Sequence, residues 1–175
     1  MAKKFRLYGI ASVEMGACGA DGAMGGSLTA IGKLRRESVD FTKAEPDTFE
    51  LEIEESTQPD FEAIQDGKPF MFVFNTYDVT PANLAKAFGG TASTNTWDAP
   101  VLDTLLEQSV EITTKSVEGY HVVIQIPRAS VKGELQSPLQ RGDAGSIKFT
   151  CKALVPEDAG GVLLSPVAIT LAIDV

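Results

Sequence analysis

The chain is poor in the residues that most chemistry needs. It holds one histidine, His121, two cysteines, Cys18 and Cys151, and a single tryptophan, Trp97. One imidazole and two distant thiols offer none of the short ligand spacings that metal sites show. No Gly-x-Ser-x-Gly turn and no Gly-Lys-Ser/Thr after a glycine loop is present, so neither a serine nucleophile nor a phosphate cradle is announced. His121 shares a strand face with Val123 and Gln125, the ordinary setting of a half-buried strand histidine. No catalytic group, metal or cofactor is therefore expected. Cations are scarce too: 15 Lys and Arg against 24 Asp and Glu leave a net charge of -9. That balance argues against general nucleic-acid binding, which draws affinity from neutralised phosphates, and against an anionic membrane surface. No apolar run approaches the roughly 20 residues of a spanning helix. The opening Met-Ala-Lys-Lys-Phe-Arg-Leu-Tyr-Gly has no apolar stretch behind its basic residues and does not read as a secretory signal. Two unpaired thiols in a protein made in the cytoplasm are expected rather than a disulfide framework.

What is present is a succession of short strands. At 175 residues the chain is read as one domain, 1–175. Phe5 to Glu14 alternates, Phe70 to Phe74 is an apolar run expected to pack on both faces, and Val110 to Thr114 and Tyr120 to Ile126 have hairpin spacing. Pro127 is expected to break the second arm, with a strand resuming over Ser130 to Leu135. Ser146 to Val155 alternates Ile147, Phe149, Cys151 and Ala153 with polar residues, and Val167 to Ile173 forms a last strand. One helix stands out: Thr80 is suited to cap it, Pro81 to open it, Leu84, Ala85 and Phe88 share a face, and Gly89-Gly90 ends it. About nine strands with one short helix and no βαβ alternation predict a mainly β protein, a sandwich or barrel.

Two segments carry the functional reading. Between Ala44 and Asp66 lie nine carboxylates and no Lys or Arg. In Thr48-Phe49-Glu50-Leu51-Glu52-Ile53-Glu54, Phe49, Leu51 and Ile53 fall on one side of an extended strand, and Glu50, Glu52 and Glu54 on the other, roughly 7 Å apart. One face is apolar enough to pack; the other is a wet acidic wall, either a solvated surface or one meant to face a polyanion without binding it. Residues 15–27 are rich in glycine, with Gly16, Gly19, Gly22 and Gly25 at period three. Without proline such a short run does not make a triple helix. The segment is read as a mobile loop with nothing large to bury, free to order against a partner.

The order of elements resembles bacteriophage major tail (tail tube) proteins. The resemblance is carried by Val110-Glu111-Ile112-Thr113-Thr114 through Gly119-Tyr120-His121-Val122-Val123-Ile124, by Ile126-Pro127-Arg128-Ala129-Ser130-Val131-Lys132-Gly133-Glu134, and by Gly145-Ser146-Ile147-Lys148-Phe149-Thr150-Cys151-Lys152-Ala153-Leu154-Val155-Pro156. In that family a hairpin is followed by an Ile-Pro-x-Ala type break and further strands; the N-terminal part, with its long loop, acidic strand, aromatic strand and helix at Pro81 to Phe88, is similar in order. The resemblance implies a two-sheet β-sandwich or half-barrel of about nine strands with one flanking helix. It implies hexameric rings of this chain, stacked into a tube and joined to other tail proteins, in a virion whose parts are made in the host cytoplasm. DNA would pass through the lumen without specific binding, with no membrane and no cofactor involved. An acidic strand suits such a lumen, because carboxylates repel phosphate. Glu50, Glu52 and Glu54 are then candidate lumen-facing acids, and the loop of Gly16, Gly19, Gly22 and Gly25 a candidate inter-ring contact.

Two other functions fit the same pattern. The tube protein of a secretion or contractile-injection machine shares the architecture. A monomeric β-sandwich ligand-binding module would need an exposed aromatic platform, for which Trp97 and Tyr120 are the candidates, since Phe70, Phe72 and Phe74 read as core.

Overall fold

The computed structural model describes residues 7–51, 61–136 and 144–174. Among them the protein is mainly β, with twelve strands and one α-helix. Three strands are two residues long: Thr29–Ala30 (β2), Thr91–Ala92 (β7) and Trp97–Asp98 (β8). The other nine are Ile10–Ala17 (β1), Asp40–Lys43 (β3), Asp47–Leu51 (β4), Phe61–Asp66 (β5), Phe70–Thr76 (β6), Leu106–Thr114 (β9), Tyr120–Gln136 (β10), Ser146–Ala153 (β11) and Ala168–Ile173 (β12). The main sheet is antiparallel, in the order β2-β1-β9-β10-β11-β6-β3, with β12 also paired to β10. The pairs β4-β5 and β7-β8 stand apart as small sheets.

One segment shows how far the main sheet curls. Ile31 N donates to Val13 O on β1 (2.9 Å), while Arg35 N donates to Asn75 O on β6 (2.8 Å) and Tyr77 N to Lys33 O (3.0 Å). A few residues of chain reach only about 3.3–3.6 Å each, so the two sides of the sheet lie within one short connector of each other. Phe72 of β6 and Ile112 of β9 accordingly line the same cavity, and the result is a β-sandwich-like fold closed around one core. Gly32 makes the connector possible. Its φ is +94°, and a Cβ there would sit 1.8 Å from Asp78 Oδ2, which accepts from Lys33 N (2.8 Å); no other residue type meets both conditions.

The core follows the strand period. Val110 and Ile112, Val122, Ile124 and Ile126, Ile147, Phe149 and Cys151, and Phe72 and Phe74 are all buried. Phe74 stacks on Phe149 with centroids 4.9 Å apart and rings 6° from parallel, and Phe72 lies 5.0 Å from Phe74. Each such side chain contributes about 1.5–3 kcal/mol by leaving water. Burial pushes the Cys151 thiol up to about 12, so it is a small apolar residue rather than a reactive one.

The helix, Pro81–Phe88 (α1), has the predicted bounds. Thr80 Oγ1 accepts from Asn83 N (3.3 Å), and Gly89 N donates to Ala85 O (2.8 Å). Buried Asn83 donates to Ile31 O and to Asp78 O, both at 2.8 Å, tying the helix to the connector. Its other side rests on β10 at Gly133, where a Cβ would lie 2.6 Å from Ala87 Cβ.

Three expectations are corrected. Pro127 does not end a strand: β10 runs unbroken through it, and the ladder with β9 shifts register between Ile126 and Ala129. A bulge is where a residue without an N–H is tolerated. Its carbonyl is used as well, accepting from Ser109 Oγ (2.6 Å). Met15 is not loop but a fully buried residue of β1. And β6 buries only the face of Phe72 and Phe74 completely, Met71 and Val73 remaining half-buried on the other.

Candidate functional site

The acidic segment is a hairpin held away from the core. Chain leaves the main sheet at Lys43 and returns at Phe70, and between them β4 and β5 pair with each other. The root is braced: Phe41 and Phe70 stack at 5.6 Å, Lys43 Nζ lies 4.9 Å over the Phe70 ring, and Lys68 donates to Asp47. That hydrogen bond holds the Lys68 ammonium above its ordinary titration range. Among the described residues β4 and β5 have substantial contact only with one another.

The register sorts the hairpin's two faces. Phe49 is opposite Ala63 and Leu51 opposite Phe61, on one side; Glu50 is opposite Glu62 and Thr48 opposite Ile64, on the other. The predicted alternation is present, so Glu50 does stand on an exposed acidic face. Glu52 and Glu54, like Ile53, lie outside the described residues. The apolar face, expected to pack, is not covered by this subunit: Phe49 is 53% and Phe61 56% exposed. Glu50 opposite Glu62 places like charges directly across the ladder, which weakens an isolated hairpin.

The glycines of 15–27 answer to close approach. Gly16 is in β1, where a Cβ would lie 2.4 Å from Ser27 O; at Gly19 it would meet Met24 O at 2.5 Å and at Gly25 Ala17 O at 2.1 Å. Gly22 has φ +70° and lies against Glu157 and Leu164. Gly25 N also donates to Ser109 Oγ (2.9 Å), so the segment is folded down on itself and onto β9.

His121 and Trp97 both make contacts that hold the fold. His121 Nδ1 is 2.6 Å from Asp174 Oδ1, and Ser116 Oγ donates to the other oxygen of Asp174. A nucleophilic relay needs the imidazole between hydroxyl and carboxylate; here the carboxylate is in the middle, so Ser116 is not activated and the group ties the end of β12 to the β9–β10 turn. The hydrogen bond from Ser116, then that to His121, holds the Asp174 carboxyl below the usual carboxylate range. Trp97 is half-buried: it lies 5.9 Å from Phe88, and its Nε1 donates to Gly89 O (2.8 Å), closing the end of α1. Among the described residues no cluster of three or more His, Cys, Asp or Glu is placed to hold a metal, and no helix is long and apolar enough to cross a membrane.

A feature with little local sequence signal opens where β1 begins and β9 ends. A cavity of about 570 Å³ has walls of Leu34, Val39, Phe72, Ile112 and Ile124. Arg35, Arg36 and Lys115 also line it, with Glu37 as the one acid, and all four are exposed. The Arg-Arg pair between apolar Leu34 and Val39 is the only hint in the sequence; Lys115 joins it through the fold.

No family model and no curated protein matches the sequence.

Proposed function

We propose that the chain is a structural subunit that self-assembles into hexameric rings, stacked as a phage tail tube with an acidic lumen through which DNA passes unbound. It works in the virion tail beside other tail proteins, after synthesis in the host cytoplasm. The observation that carries this reading is the amphipathic hairpin, whose apolar face the subunit itself leaves open while its other face presents Glu50 and Glu62 to water. A second feature supports it. Among the described residues β12 pairs only with β10, and Ala-Ile-Thr-Leu-Ala-Ile offers the other edge with no charge and no proline. Such an edge is a template for another strand unless an assembly covers it. At the end of the sheet away from the cavity, Val101 (99% exposed), Leu102 and Leu163 add apolar surface that suits contact between rings. An assembly contact of this kind should bury more than roughly 2,000 Å².

The test is purified protein followed by light scattering and negative-stain electron microscopy from micromolar to millimolar concentration. Rings or tubes with a central hole are expected. A monomer throughout that range overturns self-assembly and favours the ligand-binding-module reading.

A further inference from the structure

The cavity joins an apolar interior to a cationic mouth in a chain whose net charge is -9. Its volume of about 570 Å³ is that of a small-molecule site, and it reaches the buried core residues Phe72, Ile112 and Ile124. The cations at the mouth are held in place from both sides. Arg35 N donates to Asn75 O (2.8 Å), Ser38 Oγ donates to Arg35 O (2.7 Å), and Asn75 N donates to Ser38 Oγ (3.1 Å). These bonds fasten the turn that carries Arg35 and Arg36 to β6. Glu37 stands in that turn at φ +60°, a left-handed conformation that a side chain keeps only where the surroundings impose it. Across the mouth, Lys115 N donates to Gly9 O (3.3 Å), and a Cβ at Gly9 would lie 3.2 Å from Lys115 Cδ, so the lysine stem rests on that glycine. Arg36 meets Glu37 at 3.6 Å, with both side chains almost wholly in water, where such a pair contributes little. Among the described residues Arg35 and Lys115 have no ion pair.

We propose that the cavity binds a small amphipathic anion: one or two rings, or a medium-length acyl chain, bearing a carboxylate. The apolar body lies against Leu34, Val39 and Phe72, and the carboxylate stays at the mouth with Arg35, Arg36 and Lys115. Apolar burial supplies the attraction, and the guanidinium forks fix which end of the ligand remains outside. A wholly polar anion would leave the walls without a partner; a neutral apolar molecule would leave the cations without one. Residues 1–6 lead to Leu7 at the mouth and bring Lys3, Lys4 and Arg6. Those charges have the sign of the rim, so electrostatics selects against this segment as the occupant. Every residue of the site belongs to one subunit. The inference therefore goes beyond the assembly reading and does not depend on it.

The test is a fluorescence titration of the dilute full chain with anilinonaphthalene sulfonate, an aromatic anion that brightens in apolar surroundings. Decanoate and decanol, which share a chain length and differ in charge, then compete for the site. Saturable binding is expected, with decanoate displacing the probe at roughly tenfold lower concentration than decanol, the advantage of one charge-assisted hydrogen bond. Added salt should shrink that advantage. Arg35→Gln with Arg36→Gln should erase it and leave decanol unchanged, since the backbone bonds of the turn stay in place. Val39→Trp, which fills the cavity, should weaken the probe roughly tenfold or more, the effect of overpacking a formed site. Circular dichroism shows whether that variant is folded; if it is not, the arginine pair decides, because its side chains are exposed. Phe49→Ser with Phe61→Ser should leave the titration as in the parent. The proposal is overturned if no saturable binding occurs, or if decanol displaces as well as decanoate. It is also overturned if only the hairpin variant loses the probe, or if binding needs deletion of residues 1–6. Ring formation is read separately by electron microscopy, so either idea can fail alone.

Discussion

Two regions of this protein set aromatic residues on one face of paired strands, and they end in opposite places. In β6, Phe72 and Phe74 are fully buried; in the hairpin, Phe49 and Phe61 are more than half exposed. The aromatics themselves do not differ. The strands around them do: β6 is paired on both sides, by β11 and β3, whereas among the described residues β4 and β5 have only each other. Period-two patterning says which face of a strand is apolar. It does not say whether the same chain covers that face, and in an acidic protein the uncovered one is where a partner belongs.

Breaking the buried side of the comparison should have the largest effect. Phe149 stacks on Phe74 at the centre of the core with no exposure. Phe149→Ala removes a ring that its rigid neighbours cannot replace, and should cost about 3–5 kcal/mol. Urea unfolding of the dilute protein checks this; a loss below about 1 kcal/mol, the range of conservative apolar swaps, would mean that the two sides of the curled sheet are not packed as described.

How much of this was legible depended on whether the signal was local. Helix α1 was, because Thr80, Pro81 and Gly89 act within a turn of the backbone they shape. The course of β10 through Pro127 was not, since the bulge that accommodates the proline is set by the register of β9, a separate strand. Met15 looked like loop because Gly16 follows it, yet it belongs to β1 by virtue of pairing with Val110. The hairpin's acids were visible as a run; the cations of the cavity rim come from residues 35, 36 and 115 and meet only after the sheet curls.

A smaller effect is expected at the end of β12. The Asp174 carboxyl accepts from Ser116 and contacts His121, and these hold its titration below the ordinary carboxylate range. A group whose folded pKa is depressed adds stability that is present above its unfolded value, about 3.9 for an aspartate, and is lost as pH falls through the lower folded value. The amide NMR signals of Ala172 and Ile173 should therefore hold steady down to about that pH and move below it. In Asp174→Asn the step should vanish. An identical step in both proteins would assign the change to another group, and the tie between β12 and the β9–β10 turn would be unproven.

The smallest effect on the subunit should come from the exposed aromatics, and its smallness is what gives the comparison its edge. Phe49→Ser with Phe61→Ser removes two rings, the same residue type whose loss at Phe149 is severe. If the subunit leaves them in water, as their exposure requires, the dilute monomer should keep its urea midpoint to within about 0.5 kcal/mol, the range of surface substitutions. The monomer is even relieved of apolar surface, so any change should favour solubility. Assembly should respond in the opposite sense, since a subunit contact on that face loses both of its aromatic anchors. A variant whose monomer is as stable as the parent and whose rings are gone would place the function of those rings outside their own chain. A variant whose monomer unfolds would instead mean that the hairpin folds back onto its own subunit in solution, and the division between a self-sufficient sheet and a partner-seeking arm would have to be abandoned.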